Sequence, residues 1–206
     1  MIATEDILTK EASASVLLES LVYETLGGRD LYYRGYKEVL IGQKTKEEIM
    51  ASSSLQSTLV TLVVLFLGGC INRHKYLLSS SETGLHLSKN DNLGLDIAIF
   101  DKETLKPLDE KYFNIPPKIV IEVDVKVDIS IADFPAKEMD YIFDKSQKLL
   151  DFGVEKVVWI TTHTKKIIIA SKTQTWIVID WHTDFELMEG CNLNIKQLLD
   201  DEEIKY

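Results

Sequence analysis

The chain has 206 residues, of which 45% are hydrophobic and 27% are charged, a composition typical of one globular domain with its own core. Its formal net charge of −10 argues against simple electrostatic attraction to nucleic acid. The longest apolar stretch, residues 59–70, is too short to cross a bilayer, and the early acids argue against a signal peptide.

The first third of the chain predicts two helices and a strand. Residues 3–26 predict a helix that ends at Gly27-Gly28. Residues 32–40 predict a short strand, and residues 46–52 are compatible with either a helix or irregular chain. Residues 54–68, rich in Leu, Val and Phe, predict a second helix.

The rest of the chain predicts mostly strands, with one amphipathic helix between them and a short helix at the end. The predicted strands cover 76–87 (one or two strands), 95–100, 118–125, 154–162, 166–170 and 175–180, and the predicted helices cover 136–152 and 194–203. This order indicates a mixed sheet with helices packed against it.

The cysteines and histidines do not form a recognisable motif. Cys70 and Cys191 are far apart, and neither belongs to a CxxC motif. The four histidines lack the HxxxH or HExxH spacing of a zinc site. We therefore predict neither a disulfide framework nor a zinc site, and we expect a cytoplasmic protein.

Two predicted strands carry carboxylates: Asp96 in the first, and Glu122 and Asp124 in the second. Glu122 and Asp124 share one face of their strand, so the simpler interpretation is one buried face and one face in water. The alternative is a cation site. If the strands pair, Asp96 and Glu122 come together, and carboxylates held close repel each other unless a cation or a raised pKa compensates.

Phosphodiester hydrolysis also needs positive charge near the phosphate. Lys126 follows the acids on the same strand, and Lys145 lies in the next predicted helix. Taken alone, each lysine is more typical of a solvated surface.

Three segments and one lysine occur in an order known from a nuclease family. They are Leu95-Asp-Ile-Ala-Ile-Phe100, Pro116-Pro-Lys-Ile-Val-Ile-Glu-Val123, Lys145 and Phe152-Gly-Val-Glu-Lys-Val-Val-Trp-Ile160. In these residues the chain resembles the Uma-type restriction endonuclease family, which belongs to the PD-(D/E)XK, restriction-endonuclease-like superfamily. The resemblance runs from about residue 30 to residue 180.

The resemblance implies that Asp96 and Glu122 are metal ligands, and that Lys145 replaces the strand lysine of the usual E-x-K motif. In this chain Asp124 occupies the position of that lysine, which is a departure from the pattern. The departure suggests Asp124 as an additional metal ligand and Lys126 as an alternative catalytic cation.

We therefore expect an α/β protein with a single-domain restriction-endonuclease-like fold, a mixed central β-sheet flanked by helices. Residues 1–29 would be a helical extension and residues 30–206 the domain, with Glu48 as a further candidate acid. The expected function is Mg²⁺-dependent (or Mn²⁺-dependent) cleavage of DNA, without a membrane partner and with a homodimer as one alternative state. The competing hypothesis is a degenerate nuclease fold acting as a binding or regulatory module, which the acidic charge and the missing E-x-K lysine favour.

Overall fold

The computed structural model describes residues 14–130 and 138–206. The strands are β1 (Val22–Leu26), β2 (Arg29–Tyr32), β3 (Tyr76–Ser88), β4 (Asp91–Asp101), β5 (Ile119–Val123), β6 (Lys156–Thr161), β7 (Lys166–Ser171), β8 (Ile177–Asp180), β9 (Phe185–Met188) and β10 (Cys191–Leu193). The helices are α1 (described over 14–19), α2 (Tyr36–Leu40), α3 (Lys46–Met50), α4 (Ser54–Cys70), α5 (Glu138–Phe152) and α6 (Ile195–Asp201), with a 3₁₀ turn at Lys102–Thr104.

The central sheet has eight strands in the order β2-β1-β4-β5-β6-β7-β8, with β3 paired to β4. Neighbouring strands are antiparallel, apart from β5 and β6, which run parallel. The connection between β5 and β6 includes α5, because a parallel pair needs a long crossover. The predicted mixed sheet with flanking helices is confirmed.

The sheet separates two hydrophobic cores. On one face α4, the β9–β10 hairpin and α6 cover the odd-numbered residues of β5. On the other face α5 packs against Val120 of β5 and against Leu93, Leu95, Ala98 and Phe100 of β4. Every residue of β5 is buried, so the predicted strand with one wet face is wrong. No helix in the described ranges is long and apolar enough to cross a membrane.

The Gly27-Gly28 pair is a hairpin turn and does not end a helix. Both glycines have positive φ, 63° and 71°, as a two-residue type I′ turn requires. The turn joins β1 to β2, so the predicted helix is wrong for residues 22–26, and residues 3–13 of that prediction lie outside the described chain. Val22, Tyr23 and Thr25 favour a strand because β-branched and aromatic side chains fit a pleated surface.

Two further local predictions change. The strand predicted over 32–40 is wrong beyond Tyr32, because α2 follows from Tyr36 after Gly35, whose φ is 92°. The undecided residues 46–52 contain α3, which Thr45 and Glu48 stabilise through a reciprocal capping box. The β9–β10 hairpin was not predicted. The helices predicted over 54–68, 136–152 and 194–203 are confirmed apart from their ends, with residues 136–137 not described.

Helix α4 is fixed against the end of β5 by its first turn. Ser53 accepts a hydrogen bond from the backbone N–H of Gln56 and so caps the helix. The buried side chain of Gln56 then donates to the carbonyl oxygen of Val123 at 2.6 Å. One polar contact thus ties the long apolar helix to the last residue of an interior strand.

Cys70 and Cys191 form a disulfide, with their Cα atoms 5.6 Å apart. The bond joins the end of α4 to β10 across 121 residues of sequence. The prediction that these cysteines give no disulfide is therefore wrong. Sequence separation concealed the pairing because β10 brings Cys191 under α4 only in the folded chain.

We expect the double variant Cys70→Ser/Cys191→Ser to lose about 2–5 kcal/mol of unfolding free energy, since the disulfide restricts the unfolded chain. Urea denaturation of the oxidised protein and of the variant measures this loss. A reducing agent should destabilise the natural protein by a similar amount and leave the variant unchanged. Two titratable thiols in the denatured protein, without any reductant, would contradict the pairing.

Candidate active site

Asp96 and Glu122 lie close together on the paired strands β4 and β5. Strands β4 and β5 are antiparallel, with Ile97 opposite Ile121 at the last pair of the ladder, and Asp96 and Glu122 each lie one residue beyond that pair. Glu122 faces α5 and its Lys145, whereas Asp96 lies between Leu95, which belongs to the α5-side core, and Ile97, which belongs to the α4-side core. The Asp96 carboxylate accepts a hydrogen bond from the backbone N–H of Val123, the residue that follows Glu122. The structure therefore brings together the two acids predicted as metal ligands.

Asp96 is 5% exposed and uses each of its carboxylate oxygens. Oδ2 accepts a hydrogen bond from the backbone N–H of Val123 at 2.8 Å. Oδ1 accepts one from Nζ of Lys126 at 3.2 Å, and the same ammonium group donates to Oε1 of Glu82. Lys126 is thus a cation shared between two carboxylates at the edge of the site.

Glu122 is more deeply buried, at 1% exposure, and faces Lys145 from α5. The Nζ atom of Lys145 lies 3.0 Å from Oε1 of Glu122. The geometry of this ion pair does not make a hydrogen bond, and Oε1 has no hydrogen-bond partner among the described residues. A buried carboxylate oxygen without a partner is a costly arrangement unless a proton or a cation satisfies it.

Glu24 is the third buried acid of the site. It is 3% exposed on β1, and its Oε2 accepts a hydrogen bond from Nζ of Lys145 at 2.9 Å. Its Oε1 accepts one from the hydroxyl of Tyr141 at 2.6 Å. Lys145, which is 0% exposed, also donates to the carbonyl oxygen of Gly94 at 3.2 Å. Lys145 is therefore locked inside the protein between two carboxylates.

Burial shifts the ionisation of these groups. It raises the pKa of Glu122 to about 8, in spite of the nearby ammonium group of Lys145. Burial also raises the pKa of Asp96, although Lys126 and the Val123 N–H oppose the shift. For Lys145, burial alone would lower the pKa, but the carboxylates of Glu122 and Glu24 outweigh it and hold the pKa well above its usual range.

The site contains more acids than bases. Four carboxylates, from Glu24, Glu82, Asp96 and Glu122, surround the ammonium groups of two lysines, so full ionisation leaves two negative charges. A single divalent cation would neutralise them, and Oε1 of Glu122, which makes an ion pair but no hydrogen bond, would be one of its ligand atoms. Within residues 14–130 and 138–206 no three His, Cys, Asp or Glu side chains are arranged to hold a metal. The neighbouring carboxylates of Asp96 and Glu122 nevertheless fit Mg²⁺, which usually takes one or two carboxylates with waters and substrate phosphates.

Asp124 has a different environment from the other predicted ligands. It leaves the strand with a positive φ of 61°, and its carboxylate binds Thr162 on the neighbouring strand end. Oδ1 accepts from the backbone N–H of Thr162 at 2.7 Å, and Oδ2 accepts from its hydroxyl at 2.6 Å. Glu48 is exposed and occupied in the cap of α3. The structure therefore does not bring Asp124 or Glu48 into the buried cluster.

A large cleft of about 1150 Å³ opens beyond the ends of β5 and β6. Lys126 lines this cleft, and Asp124 and Thr162 form part of its wall. Its other basic side chains are Arg34, Lys44, His163 and Lys166. A smaller cavity of about 370 Å³ on the α4 side is lined by Asp96, Glu82 and Lys126. Lys126 is thus the lysine of the site that contacts both spaces.

The sequence analysis missed Glu24, Glu82 and Tyr141. Glu24 was hidden because residues 22–26 were assigned to a helix, whereas the Gly27-Gly28 pair could have indicated a hairpin and a strand before it. Glu82 lies within the predicted strand region 76–87, where the sequence does not mark any acid as functional. Tyr141 is one turn before Lys145 on α5, so the i, i+4 spacing places both side chains on the same helix face.

We expect the unfolding free energy to fall as the pH rises from about 4.5 to about 8, because folded Glu122 keeps its proton in this range and the unfolded chain does not. One such proton contributes at most about 1.4 kcal/mol per pH unit. Urea denaturation in the presence of a chelator measures the slope. Glu122→Gln should flatten it, and the exposed control Glu189→Gln should not. Equal slopes for natural protein and Glu122→Gln would show that Glu122 ionises normally.

Comparison with models of known protein families gives no match, and no curated protein matches the sequence. Among solved structures, a similar fold occurs in a crystal structure described as that of a candidate nuclease belonging to DUF820 from Anabaena variabilis ATCC 29413. The TM-score is 0.63 at 14% sequence identity, over 86% of this chain and 89% of the other. This likeness confirms the predicted fold class, a mixed sheet flanked by helices.

Proposed function

We propose that the protein is a metal-dependent nuclease that hydrolyses phosphodiester bonds in DNA. The observation that carries the proposal is the pair of neighbouring carboxylates of Asp96 and Glu122 on β4 and β5, inside a cluster of four acids and two lysines. The fold shared with the DUF820 structure supports it. We also propose that the chain is a divergent Uma-type endonuclease, on the residues that carry that resemblance.

In this proposal Asp96 and Glu122 hold one Mg²⁺ or Mn²⁺ ion. A bound divalent ion would lower the pKa of a coordinated water and stabilise negative charge on the phosphate. Glu122 must lose its proton for the carboxylate to bind a cation, and burial makes that proton available near neutral pH. The backbone N–H of Val123 keeps the Asp96 carboxylate in a fixed orientation.

The two lysines have separate roles in the proposal. Lys126 lines the large cleft and is 13% exposed, so its ammonium group is able to contact a phosphate that enters from solvent. Lys145 is fully buried and anchored by Glu24 and the Gly94 carbonyl. Lys145 therefore positions Glu122, and Lys126 provides the positive charge for the phosphate.

The large cleft is the proposed path of the substrate. It begins at Lys126 and continues past the hydroxyl-bearing turn 161–164 to Lys166. Basic and hydroxyl groups are common partners of phosphate oxygens. The cleft also carries acids, among them Glu38 and Glu138. The positions of individual charged groups, rather than the net charge, would therefore determine which substrate binds.

We expect Asp96→Asn and Glu122→Gln each to abolish Mn²⁺-dependent cleavage of plasmid DNA and to remove the rise in melting temperature that Mn²⁺ produces in the natural protein. The reason is that each change removes one of two negatively charged ligands. The exposed Glu189→Gln variant is the matched control and should behave like the natural protein.

The two readouts separate the competing functions. A Mn²⁺-dependent rise in melting temperature without cleavage of any nucleic acid by the natural protein would favour the non-catalytic binding module, which the occupation of Asp96 by Lys126 otherwise supports. A melting temperature that ignores Mn²⁺ in the natural protein would refute the metal site.

We expect Lys126→Met to lower kcat for DNA cleavage by about 100- to 1000-fold, as for the loss of one charged contact to a transition state. Lys145→Met should instead lower the unfolding free energy by about 3–5 kcal/mol, because it leaves buried carboxylates without their cation. Steady-state cleavage and urea denaturation measure the two effects. Lys148→Met, on the same helix and partly exposed, is the matched control. Full activity in both Lys126→Met and Lys145→Met would exclude both lysines from the mechanism.

A further inference from the structure

Strand β3 contains an irregularity directly opposite Asp96. Ser80 pairs with Ile97 and Thr83 pairs with Leu95, so Ser81 and Glu82 together face the single residue Asp96. This two-against-one arrangement is a β-bulge, a feature that re-aims side chains and is frequent next to active sites.

The bulge requires an uncommon backbone. Ser81 and Glu82 have φ values of 71° and 59°, in the left-handed region that residues with a side chain rarely adopt. The hydroxyls of Ser79 and Thr83 share a hydrogen bond of 2.9 Å across the bulge. Two consecutive residues in this conformation are unfavourable, and such strain persists where the surrounding structure holds it, often at functional sites.

The result of the bulge is the position of the Glu82 carboxylate. Its Oε1 accepts a hydrogen bond from Lys126, and its Oε2 lies over Gly94 of the neighbouring strand. A Cβ atom at position 94 would be only 2.8 Å from that oxygen, so a glycine at this position leaves room for the carboxylate. Glu82 is nevertheless 44% exposed, in contrast to the three buried acids of the site.

Lys126 occupies the place where a cation would be expected. Its ammonium group lies on Oδ1 of Asp96, the oxygen that the Val123 N–H leaves available. A divalent cation that binds Asp96 must therefore displace a positively charged group. The displaced ammonium group needs another negative partner, because an unpaired charge in a partly buried site is costly.

We propose that Glu82 is a positioning residue that receives the ammonium group of Lys126 when a divalent cation takes its place on Asp96. This inference rests on the proposed metal site. Glu82 keeps Lys126 paired and close to the cleft, so that the exchange loses one lysine contact and not both. The strained bulge serves to hold this second acceptor beside Asp96.

The test is a double-mutant cycle on Mn²⁺ affinity, measured by titration calorimetry with Mn²⁺ alone on the full chain. The variants are Lys126→Met, Glu82→Gln and the double variant. Lys126→Met should bind Mn²⁺ about three- to tenfold more tightly, because the competing cation is gone. Glu82→Gln should bind it about three- to tenfold more weakly, because Lys126 then has Asp96 as its remaining carboxylate partner.

The decisive comparison is Glu82→Gln in the Lys126→Met background. There the loss of affinity should shrink to less than about twofold, since no ammonium group remains to be received. Equal losses in both backgrounds would overturn the proposal, because they indicate a direct effect of the Glu82 charge on the ion. A larger loss in the Lys126→Met background would overturn it in favour of Glu82 as a metal ligand.

Melting temperatures without metal show whether each variant is folded, and Lys126→Gln replaces Lys126→Met if the latter is not. An unchanged affinity in Glu82→Gln would also overturn the proposal and leave the bulge with a structural role. Failure of the metal site itself gives a different result, namely no Mn²⁺ binding by the natural protein.

Discussion

An imbalance of buried charge dominates this protein. Carboxylates from four strands meet two ammonium groups in one partly dry volume, and the sum is negative. Charges removed from water must be paired or neutralised, and here pairing is incomplete. Protonation of Glu122 is one solution and a divalent cation is another. The same imbalance that makes the site acidic is what would give it affinity for metal.

The topology of the sheet explains why the imbalance can exist. Interior strands β4 and β5 carry Asp96 and Glu122, and strands β1 and β3, which both pair with β4, add Glu24 and Glu82. Helix α5 packs against one face of the sheet and supplies Lys145. Because each acid belongs to a different strand, hydrogen bonds of the sheet hold the carboxylates together against their mutual repulsion.

Asp96 and Glu122 were predictable as site residues, because carboxylates are unusual within otherwise apolar strands. The resemblance to a nuclease family indicated the same two residues. Lys145 was predictable as a helical residue, but its complete burial was not. Glu24 depended on a correct assignment of the Gly27-Gly28 turn, which serves equally well as the end of a helix. The role of Glu82 could not be predicted, because it depends on a β-bulge that no residue type indicates. The disulfide between Cys70 and Cys191 could not be predicted either, because it joins residues 121 positions apart. Local sequence patterns were sufficient to predict the strands, whereas the partners of the buried side chains depend on long-range packing.

The spacing of the site along the chain has a consequence for folding. Its groups come from positions 24 to 145, and the lysine that balances two of the buried acids is the last of them. A ribosome must therefore have released well over half of the polypeptide before Glu24 and Glu122 can be enclosed without unpaired charge. Until then, pairing of the early strands stabilises the chain little, because contacts between distant segments cost loop-closure entropy before they contribute stabilising free energy. In the nascent chain, Glu24 and Glu122 should therefore stay exposed to water until helix α5 has emerged from the ribosome.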